Sequence, residues 1–445
     1  MMGPMAREET RTTPPSTTAH PPGASEARKP AGGAAAPAWR KRLIVAGIVL
    51  AAVNLRPAIT SLGALLEEVR DGLGMSGSVA GLLTSVPALC FAVFGVTAPR
   101  LARRFGAGAV VCAGMAAIGA GLLIRPYAGG TAAFLAASAL ALMGIAVSNV
   151  LMPVIVKRWF PDRVGSMTGL YSMALALGTA TAAAVTVPVT GALDGNWRSG
   201  LAVWAGLAAV AVLPWIPFVR ERRGASADRA PARDGAEHTR DGQALADGAG
   251  LRITRSRTAW ALAVFFGLQA TAAYITMGWM AQVFRDAGVP AGTAGLLLAV
   301  IMVMGVPLAF VIPRLATRLP RQGPIVLVLG VSGLVGYAGL YLAPAAGAWA
   351  WAVLLGIAGC AFPLALTMVG MRARTSAGVA QLSAFAQSAG YLISIPGPLL
   401  VGVLYQHSGG WGLPLALMAG LMIPQVIAGV LAGRDRTVED EAAQG

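Results

Sequence analysis

Residues 43–66 have the sequence LIVAGIVLAAVNLRPAITSLGALL, an apolar run that contains a single basic residue, Arg56, followed by Pro57. About 20 apolar residues in a helix are needed to cross a hydrocarbon core of about 30 Å. The run therefore predicts a membrane-spanning helix with a charge inside it. Because it begins late and continues through Arg56 and Pro57, we expect no cleaved signal peptide.

Eleven similar runs follow, and a charged, turn-rich stretch divides the twelve into two groups of six. The sequence predicts an all-α membrane protein of twelve transmembrane helices in two six-helix bundles. The predicted domains are a disordered cytoplasmic tail at 1–42, bundles at 43–219 and 259–432, a cytoplasmic linker at 220–258 and a cytoplasmic tail at 433–445. The predicted spans are 43–66, 79–99, 108–126, 131–156, 164–190, 199–219, 259–282, 292–312, 324–343, 347–370, 377–405 and 411–432.

The composition excludes several classes of protein. The 445 residues are 56% hydrophobic and only 12% charged, which rules out a soluble multi-domain enzyme. The net charge is +15, but the basic residues that produce it lie between apolar runs and do not gather on one face. We therefore expect no nucleic acid partner. The cysteines Cys90, Cys112 and Cys360 fall inside apolar runs without a CxxC pair, so we expect neither a metal site nor a cofactor.

The distribution of basic residues predicts the orientation. Of the 34 Lys and Arg residues, only Arg70, Arg125, Arg198 and Arg285 fall in loops on one side, and Arg56 lies in a span. The positive-inside rule then places both termini in the cytoplasm of a multi-pass protein of the cell membrane.

The two halves also repeat at an offset of 214 or 215 residues. Arg70-Asp71 matches Arg285-Asp286, AGLL at 80–83 matches 294–297, and PRLA at 99–102 matches 313–316. Six helices return the chain to its starting side, so the copies share one orientation.

Several motifs together resemble the cyanate and 2-nitroimidazole transporter family of the major facilitator superfamily. They are NLRPA at 54–58, PRLARRFG at 99–106, NVLMP at 149–153, VKR at 156–158, MTGLY at 167–171, FGLQ at 266–269, SAFAQS at 383–388 and GYL at 390–392. The resemblance covers about residues 43–432. It implies the superfamily fold, a monomer, and small anions such as cyanate or compact nitro-substituted rings as substrates.

The loop after the second span departs from the superfamily pattern. An Asp usually precedes its basic cluster, and Ala102 stands there in this sequence. Arg100, Arg103 and Arg104 are candidate gating residues that could meet acidic groups, helix ends or lipid head groups. The alternative is a cluster that only sets topology.

Arg56 is the central candidate for substrate binding. A central arginine costs about 2.5–3.5 kcal/mol on insertion scales, and no Asp or Glu lies in any predicted span to neutralise it. Its planar donors suit an anionic or dipolar ligand. The alternative is that Arg56 bonds helix carbonyls and locks the first bundle together. Pro57 leaves the carbonyl of Val53 unpaired and predicts a kink there.

Other polar residues in the spans could complete the pocket, or could equally bond neighbouring helices. Gln387 and Tyr391 are four residues apart and so share one helix face. The remaining candidates are Asn54, Asn149, Tyr171, Gln269 and Tyr274.

The predicted function is secondary or facilitated transport of a small anionic or dipolar solute by alternating access, with a proton-coupled exporter of drugs or metabolites as the alternative. No Gly-Lys dipeptide exists for an ATP-binding phosphate loop. The GVSG motif at 330–333 resembles that of intramembrane serine proteases, but no histidine or lysine is placed to activate Ser332, so no enzyme activity is expected. A channel or a sensor suits the repeat less well.

Overall fold

A computed structural model describes residues 38–219 and 253–442. Twelve helices in it are long and apolar enough to cross a membrane, as the sequence predicts. Each is given one label although some are broken. They are α1 (Ala38–Asn54, Pro57–Ala64 and Leu66–Leu73), α2 (Gly77–Phe105), α3 (Ala107–Ile124), α4 (Thr131–Trp159), α5 (Val164–Ala192), α6 (Trp197–Val212), α7 (Arg257–Asp286), α8 (Ala291–Val303 and Gly305–Arg318), α9 (Gly323–Leu342), α10 (Ala348–Gly359 and Ala361–Met371), α11 (Ser376–Ser394 and Pro396–Ser408) and α12 (Gly412–Ala432).

Four of these helices are interrupted near their middle. Pro57 and Pro396 begin the second pieces of α1 and α11, where the missing proline N–H and the ring stop the preceding turn from continuing. The breaks in α8 at Met304 and in α10 at Cys360 lie three residues before Pro307 and Pro363, which leave the carbonyls of Val303 and Gly359 without a helical N–H donor. Of the four interruptions, only the kink at Pro57 is predicted from the sequence.

The helices form two bundles, α1–α6 and α7–α12. We call the membrane face at which α1 begins and α12 ends the terminal face, and the other the opposite face. At the opposite face the bundles touch closely. A Cβ on Gly63 of α1 would collide with the carbonyl oxygen of Met277 in α7, and one on Gly402 of α11 would collide with the carbonyl oxygen of Gly77 in α2. The opposite face is therefore closed.

Polar contacts join the bundles at the same face. The backbone N–H and the hydroxyl of Ser78 donate to Gln406 Oε1 at 2.9 and 2.8 Å. Trp279 Nε1 donates to Thr84 Oγ1 at 3.1 Å. These bonds cross from α2 to α7 and α11, so opening this face must break them.

Arg125 departs from its predicted place in an outer loop. It lies in a 3-10 turn at the end of α3 and is only 2% exposed. Its Nη1 donates to the carbonyl oxygen of Ala58 at 2.9 Å, and Nη2 to Ser61 Oγ at 3.4 Å. The side chain turns inward because the second piece of α1 offers it acceptors there. Arg56 is thus not the only arginine held at depth, contrary to the sequence prediction.

The segment predicted as a C-terminal tail contains a short helix, α13 (Val438–Ala442), that packs on the second bundle. Glu441 accepts hydrogen bonds from Ser256 Oγ at 2.6 Å and Thr258 Oγ1 at 2.7 Å, at the start of α7. Glu439 accepts from the backbone N–H of Arg374 and of Thr375, at 3.0 and 3.2 Å, at the start of α11. The helix α13 therefore caps two membrane helices.

Helix bounds differ from prediction at other places too. The helix α1 begins at Ala38, inside the segment predicted as a disordered tail, and α7 begins at Arg257, inside the predicted linker. Residues 1–37, 220–252 and 443–445 lie outside the described part of the chain.

Candidate functional site

A cavity of about 270 Å³ lies between the bundles near the middle of the helices. Helices α1 and α5 contribute part of its wall, and α7–α12 contribute the rest. The first bundle supplies Arg56, Ser172, Leu175, Ala176 and Thr179, and the second supplies, among others, Gln269, Tyr274, Met302, Gly305, Gly359, Cys360, Phe362 and Tyr391. All four broken helices reach this cavity, and three of them line it next to their breaks, at Arg56, Gly305 and Gly359.

Arg56 is placed in the cavity by the break in α1. It occupies the turn between Asn54 and Pro57, where its side chain is half-buried. The guanidinium shares a side-chain hydrogen bond with Tyr274 and interacts electrostatically with Tyr171 and Tyr391. In residues 38–219 and 253–442 it forms no ion pair with Asp or Glu. A cation thus faces the cavity among neutral phenol groups.

The carbonyl of Val53, which Pro57 deprives of its helical partner, lies against Gly178 of α5. A Cβ at Gly178 would collide with that oxygen. The glycine therefore lets α5 approach the break in α1 closely. Interhelix packing at this point helps to hold the piece of α1 that carries Arg56.

Gln269 lines the cavity, but both ends of its amide are bonded to protein. Its Nε2 donates to the carbonyl oxygen of Gly359 at 3.1 Å, and its Oε1 accepts from Gln425 Nε2 at 2.9 Å. These bonds join α7 to α10 and α12. The amide therefore stabilises the break in α10 and has little hydrogen-bonding capacity left for a ligand.

Tyr391 joins the bundles at the depth of the cavity. Its ring stacks on Phe91 of α2, with the ring centroids 5.0 Å apart and the planes at 22°, and meets Phe266 edge-on at 5.2 Å. Both arrangements are favoured for aromatic pairs. Because Phe91 and Tyr391 belong to different bundles, relative movement of the bundles changes this stack.

The other predicted residues do not line the cavity. Asn54 is fully buried within the first bundle, where its Nδ2 contacts Met115 Sδ at 3.7 Å. The hydroxyl of Tyr171 donates to Asn149 Oδ1, which links α5 to α4 close to Arg56. Gln387 donates to Ser383 Oγ, one turn earlier on α11, at 2.8 Å. Arg56, Gln269, Tyr274 and Tyr391 are therefore the predicted residues that this cavity brings together.

The three candidate gating arginines lie apart from the cavity. Arg100, Arg103 and Arg104 are exposed at the terminal end of α2, and the guanidinium of Arg104 lies 5.3 Å from the ring centroid of Phe105. Ser332, in the protease-like motif, donates to the carbonyl oxygen of Val328 in its own helix at 2.9 Å. Within the described residues no group of three or more His, Cys, Asp or Glu side chains could hold a metal ion.

Sequence reasoning missed several residues of the site. Gly305 and Gly359 lie beside breaks that precede Pro307 and Pro363, and these prolines are a sequence signal that could have located the interruptions. Phe91 is one of many apolar residues in α2, and nothing in the sequence shows that it contacts Tyr391. Thr179 donates to the carbonyl oxygen of Leu175 in its own helix, a common arrangement that carries no functional signal.

The sequence pattern of the Major Facilitator Superfamily matches residues 43–394. Among characterised relatives, the chain is 32% identical over 404 residues to the 2-nitroimidazole transporter of Escherichia coli (strain K12), covering 89% of this chain and 96% of the relative. It is 30% identical over 381 residues to the cyanate transport protein CynX of the same strain, covering 84% and 94%.

Two further similarities agree with these. The chain is 35% identical over 397 residues to the uncharacterized transporter YycB of Bacillus subtilis (strain 168), covering 89% of this chain and 94% of the relative. Its fold is similar to the inward open xylose transporter XylE of E. coli, with a TM-score of 0.69, 11% identity and coverage of 91% and 99%. At that identity, the likeness to XylE concerns the fold alone.

Proposed function

The chain belongs to the major facilitator superfamily, within the family of the cyanate and 2-nitroimidazole transporters, and on that basis we propose that it carries a small anionic or dipolar solute across the membrane by alternating access. The observation that supports this most is the guanidinium of Arg56, which faces the cavity between the bundles without an acidic partner among the described residues. An intramembrane arginine is costly unless something compensates it. A bound anion would provide that compensation.

The substrate contacts that we propose follow from the donors around Arg56. Its planar guanidinium suits two oxygens of a carboxylate or nitro group, or the end of a linear anion. The hydroxyls of Tyr274 and Tyr391 lie near that charge and can donate to the same group. Tyr171 and Asn149 would support Arg56 from the first bundle. The relatives named for cyanate and for 2-nitroimidazole transport both move solutes of this kind.

Alternating access is supported by the state of the two faces. The opposite face is closed by the contacts of Gly63, Gly402, Ser78 and Thr84 with the other bundle. With the termini in the cytoplasm, as the basic residues predict, that closed face is the external one. Closing of the terminal face would bring the exposed Arg100, Arg103 and Arg104 nearer the second bundle, so they remain gating candidates. Exchange between the two closures would move a solute across the membrane around one central cavity.

The test is uptake of labelled cyanate and of labelled 2-nitroimidazole by purified protein in liposomes. Hydrogen bonds to a charged group contribute about 1.5–3 kcal/mol, so Arg56→Gln should weaken substrate affinity roughly 10- to 150-fold. Arg56→Lys should be impaired too, because an ammonium lacks the planar fork. The matched control is Arg314→Gln, which removes an exposed arginine at the terminal end of α8.

Each variant is first shown to be folded by its melting temperature and its elution as a single species. Uptake by Arg56→Gln and Arg56→Lys at the rate of the unaltered protein would contradict the proposed site. Failure of the unaltered protein to move or bind either solute would contradict the proposed substrate class.

A further inference from the structure

The cavity is much larger than a small anion at Arg56 needs. Its volume is about 270 Å³, whereas one water needs only about 10–15 Å³ by a comparable measure. Its wall includes Arg56 of the first bundle and Ile301, Leu355 and Met422 of the second bundle. A three-atom anion held by the guanidinium would leave most of this space empty.

Helices α8, α10 and α12 contribute a largely apolar part of the cavity wall. Its residues include Ile301, Met302, Leu355, Phe362 and Met422. Apolar cavities of this kind bind apolar groups more readily than they hold ordered water. The composition of the wall therefore distinguishes this region from the polar region around Arg56.

The polar groups in this region are already bonded to protein. Gln269 uses its amide on Gly359 and Gln425. Tyr337 shares a side-chain hydrogen bond with Thr276. A second charged or strongly polar group on a ligand would find few free partners there, and burying it without partners is unfavourable.

Two glycines leave room for a ligand beside the broken helices. A Cβ built on Gly305 or on Gly359 would have no heavy atom within 4 Å, although both residues line the cavity. By contrast, a Cβ on Gly356, one turn from Gly359, would lie 2.8 Å from Met304 Cβ. A side chain added at Gly305 or Gly359 thus has room at the cavity wall, whereas one added at Gly356 does not.

We propose that the region lined by Ile301, Met302, Gly305, Leu355, Gly359 and Met422 binds the apolar body of a monoanion whose charged end lies at Arg56. The ligand class is a monocarboxylate, or a compound of similar charge, that carries a body about the size of a phenyl ring. This inference rests on the proposed function, because it assigns the charged end to Arg56. It adds a second determinant of specificity in the other bundle.

The test measures affinity for a series of monoanions of increasing apolar size, from formate and acetate to benzoate. Affinity is taken from thermal stabilisation of purified protein and from competition with labelled uptake. In the unaltered protein, benzoate should bind at least tenfold more tightly than acetate. Gly359→Leu, which fills the cavity, should weaken benzoate at least tenfold and change formate by less than twofold.

Gly305→Leu provides a second way to fill the same region, should Gly359→Leu fail to fold. The matched control is Gly420→Leu in α12, where a Cβ would also meet nothing and the residue is exposed on the outside of the bundle. Gly420→Leu should leave the whole series unchanged. Arg56→Gln should weaken every member of the series.

The outcomes separate the two proposals. Two results would overturn the proposed apolar binding region while leaving the proposed function intact. One is equal affinity of the unaltered protein for acetate and benzoate. The other is equal weakening of formate and benzoate binding by both Gly359→Leu and Gly305→Leu. Absence of binding by every anion, cyanate included, would overturn the proposed function first.

Discussion

The Nη2 atom of Arg285, near the end of α7, lies 2.8 Å from Glu67 Oε2 at the end of α1, and this ion pair joins the two bundles at the closed opposite face. Nη1 of the same arginine lies 3.0 Å from Glu68. In the other direction, Arg70 of the first bundle lies over the ring of Tyr405 at 5.5 Å, and the hydroxyl of Tyr405 donates to Asp286 at 2.9 Å. The arginines of the two repeated Arg-Asp pairs therefore reach across the interface from opposite sides.

The first prediction concerns this ion pair. Arg285→Gln removes both contacts with the first bundle, so the opposite face should open more often. Partly exposed pairs contribute about 0.2–1 kcal/mol each, so the loss of two pairs should raise the open population by roughly 2- to 30-fold. The measurement is the rate at which a maleimide labels Thr84→Cys, a position buried against Trp279, in protein whose three native cysteines are replaced.

Arg314→Gln, at the terminal end of α8, is the control for loss of one arginine and should leave the labelling rate unchanged. An unchanged rate in Arg285→Gln would show that the ion pair does not hold this face closed.

The second prediction concerns the close contact of Gly63 with the carbonyl of Met277. Gly63→Val cannot keep that contact, so the opposite face should be unable to close fully and transport should fall to below a tenth of normal. Labelling of Thr84→Cys should increase at the same time. Gly206→Val in α6 adds the same atoms where a Cβ would meet nothing, and it should transport normally. Normal uptake by Gly63→Val would mean that this contact is not needed.

The third prediction concerns Arg125, which is buried and, within residues 38–219 and 253–442, is bonded to the neutral groups of Ala58 and Ser61. Arg125→Met removes the buried charge, and the carbonyl oxygen of Ala58 keeps the backbone N–H donor of its own helix. Arg125→Lys keeps a buried charge with fewer donors. The lysine variant should therefore be the less stable of the two, by about 1–3 kcal/mol, in chemical unfolding of the detergent-solubilised protein.

The reverse order, with lysine close to the unaltered protein and methionine much less stable, would show that the positive charge itself stabilises the fold. Ser61→Ala is the control, because it removes only the longer of the two hydrogen bonds.

The fourth prediction concerns the pH dependence of the caps formed by α13. Burial alone would raise the pKa of Glu441, but hydrogen bonds from Ser256, Thr258 and the backbone outweigh it and lower that pKa. The pKa of this carboxyl group is therefore lower in the folded state than in the unfolded state, where it is about 4.3. Such a group contributes its full stabilisation above pH of about 4.3, and this contribution is lost as the pH falls through the pKa of the folded state.

Glu441→Gln should therefore reduce the unfolding free energy at pH 7 by about 1 kcal/mol, the usual contribution of a helix cap. The difference from the unaltered protein should shrink as the pH falls below about 4.3. Unfolding curves at pH 7 and at lower pH measure this, with Asp162→Asn at an exposed acid of the terminal face as the control. A difference that stays constant with pH would exclude the carboxylate as its source.

The sequence predicts the helices well because membrane thickness fixes their length and hydrocarbon excludes charge. It also predicts the charged cavity residue, since Arg56 stands out in an apolar run, and the break at Pro57. It does not predict which way a side chain turns from its helix. Asn54 is two residues from Arg56 yet faces α3, and Arg125 lies beside a predicted outer loop yet points inward.

Contacts that depend on the packing of distant segments are equally hard to predict. The prolines Pro307 and Pro363 follow the breaks in α8 and α10, but nothing in the sequence shows that these breaks border one cavity. The bonds of Gln269 to Gly359 and Gln425 join three helices. The acidic residues near the C-terminus look like an ordinary solvated tail, because their partners at the starts of α7 and α11 are separated from them by more than 60 residues.

The guanidinium of Arg56 gives the proposed transport cycle an electrical consequence. In that cycle an empty site would carry one positive charge when the accessible side changes, whereas a site that holds a monoanion would carry none. A unit charge crossing the full membrane field gains or loses about 2.3 kcal/mol per 100 mV. In the proposed cycle the membrane voltage would therefore act on the return of the unloaded carrier and leave the loaded step almost untouched.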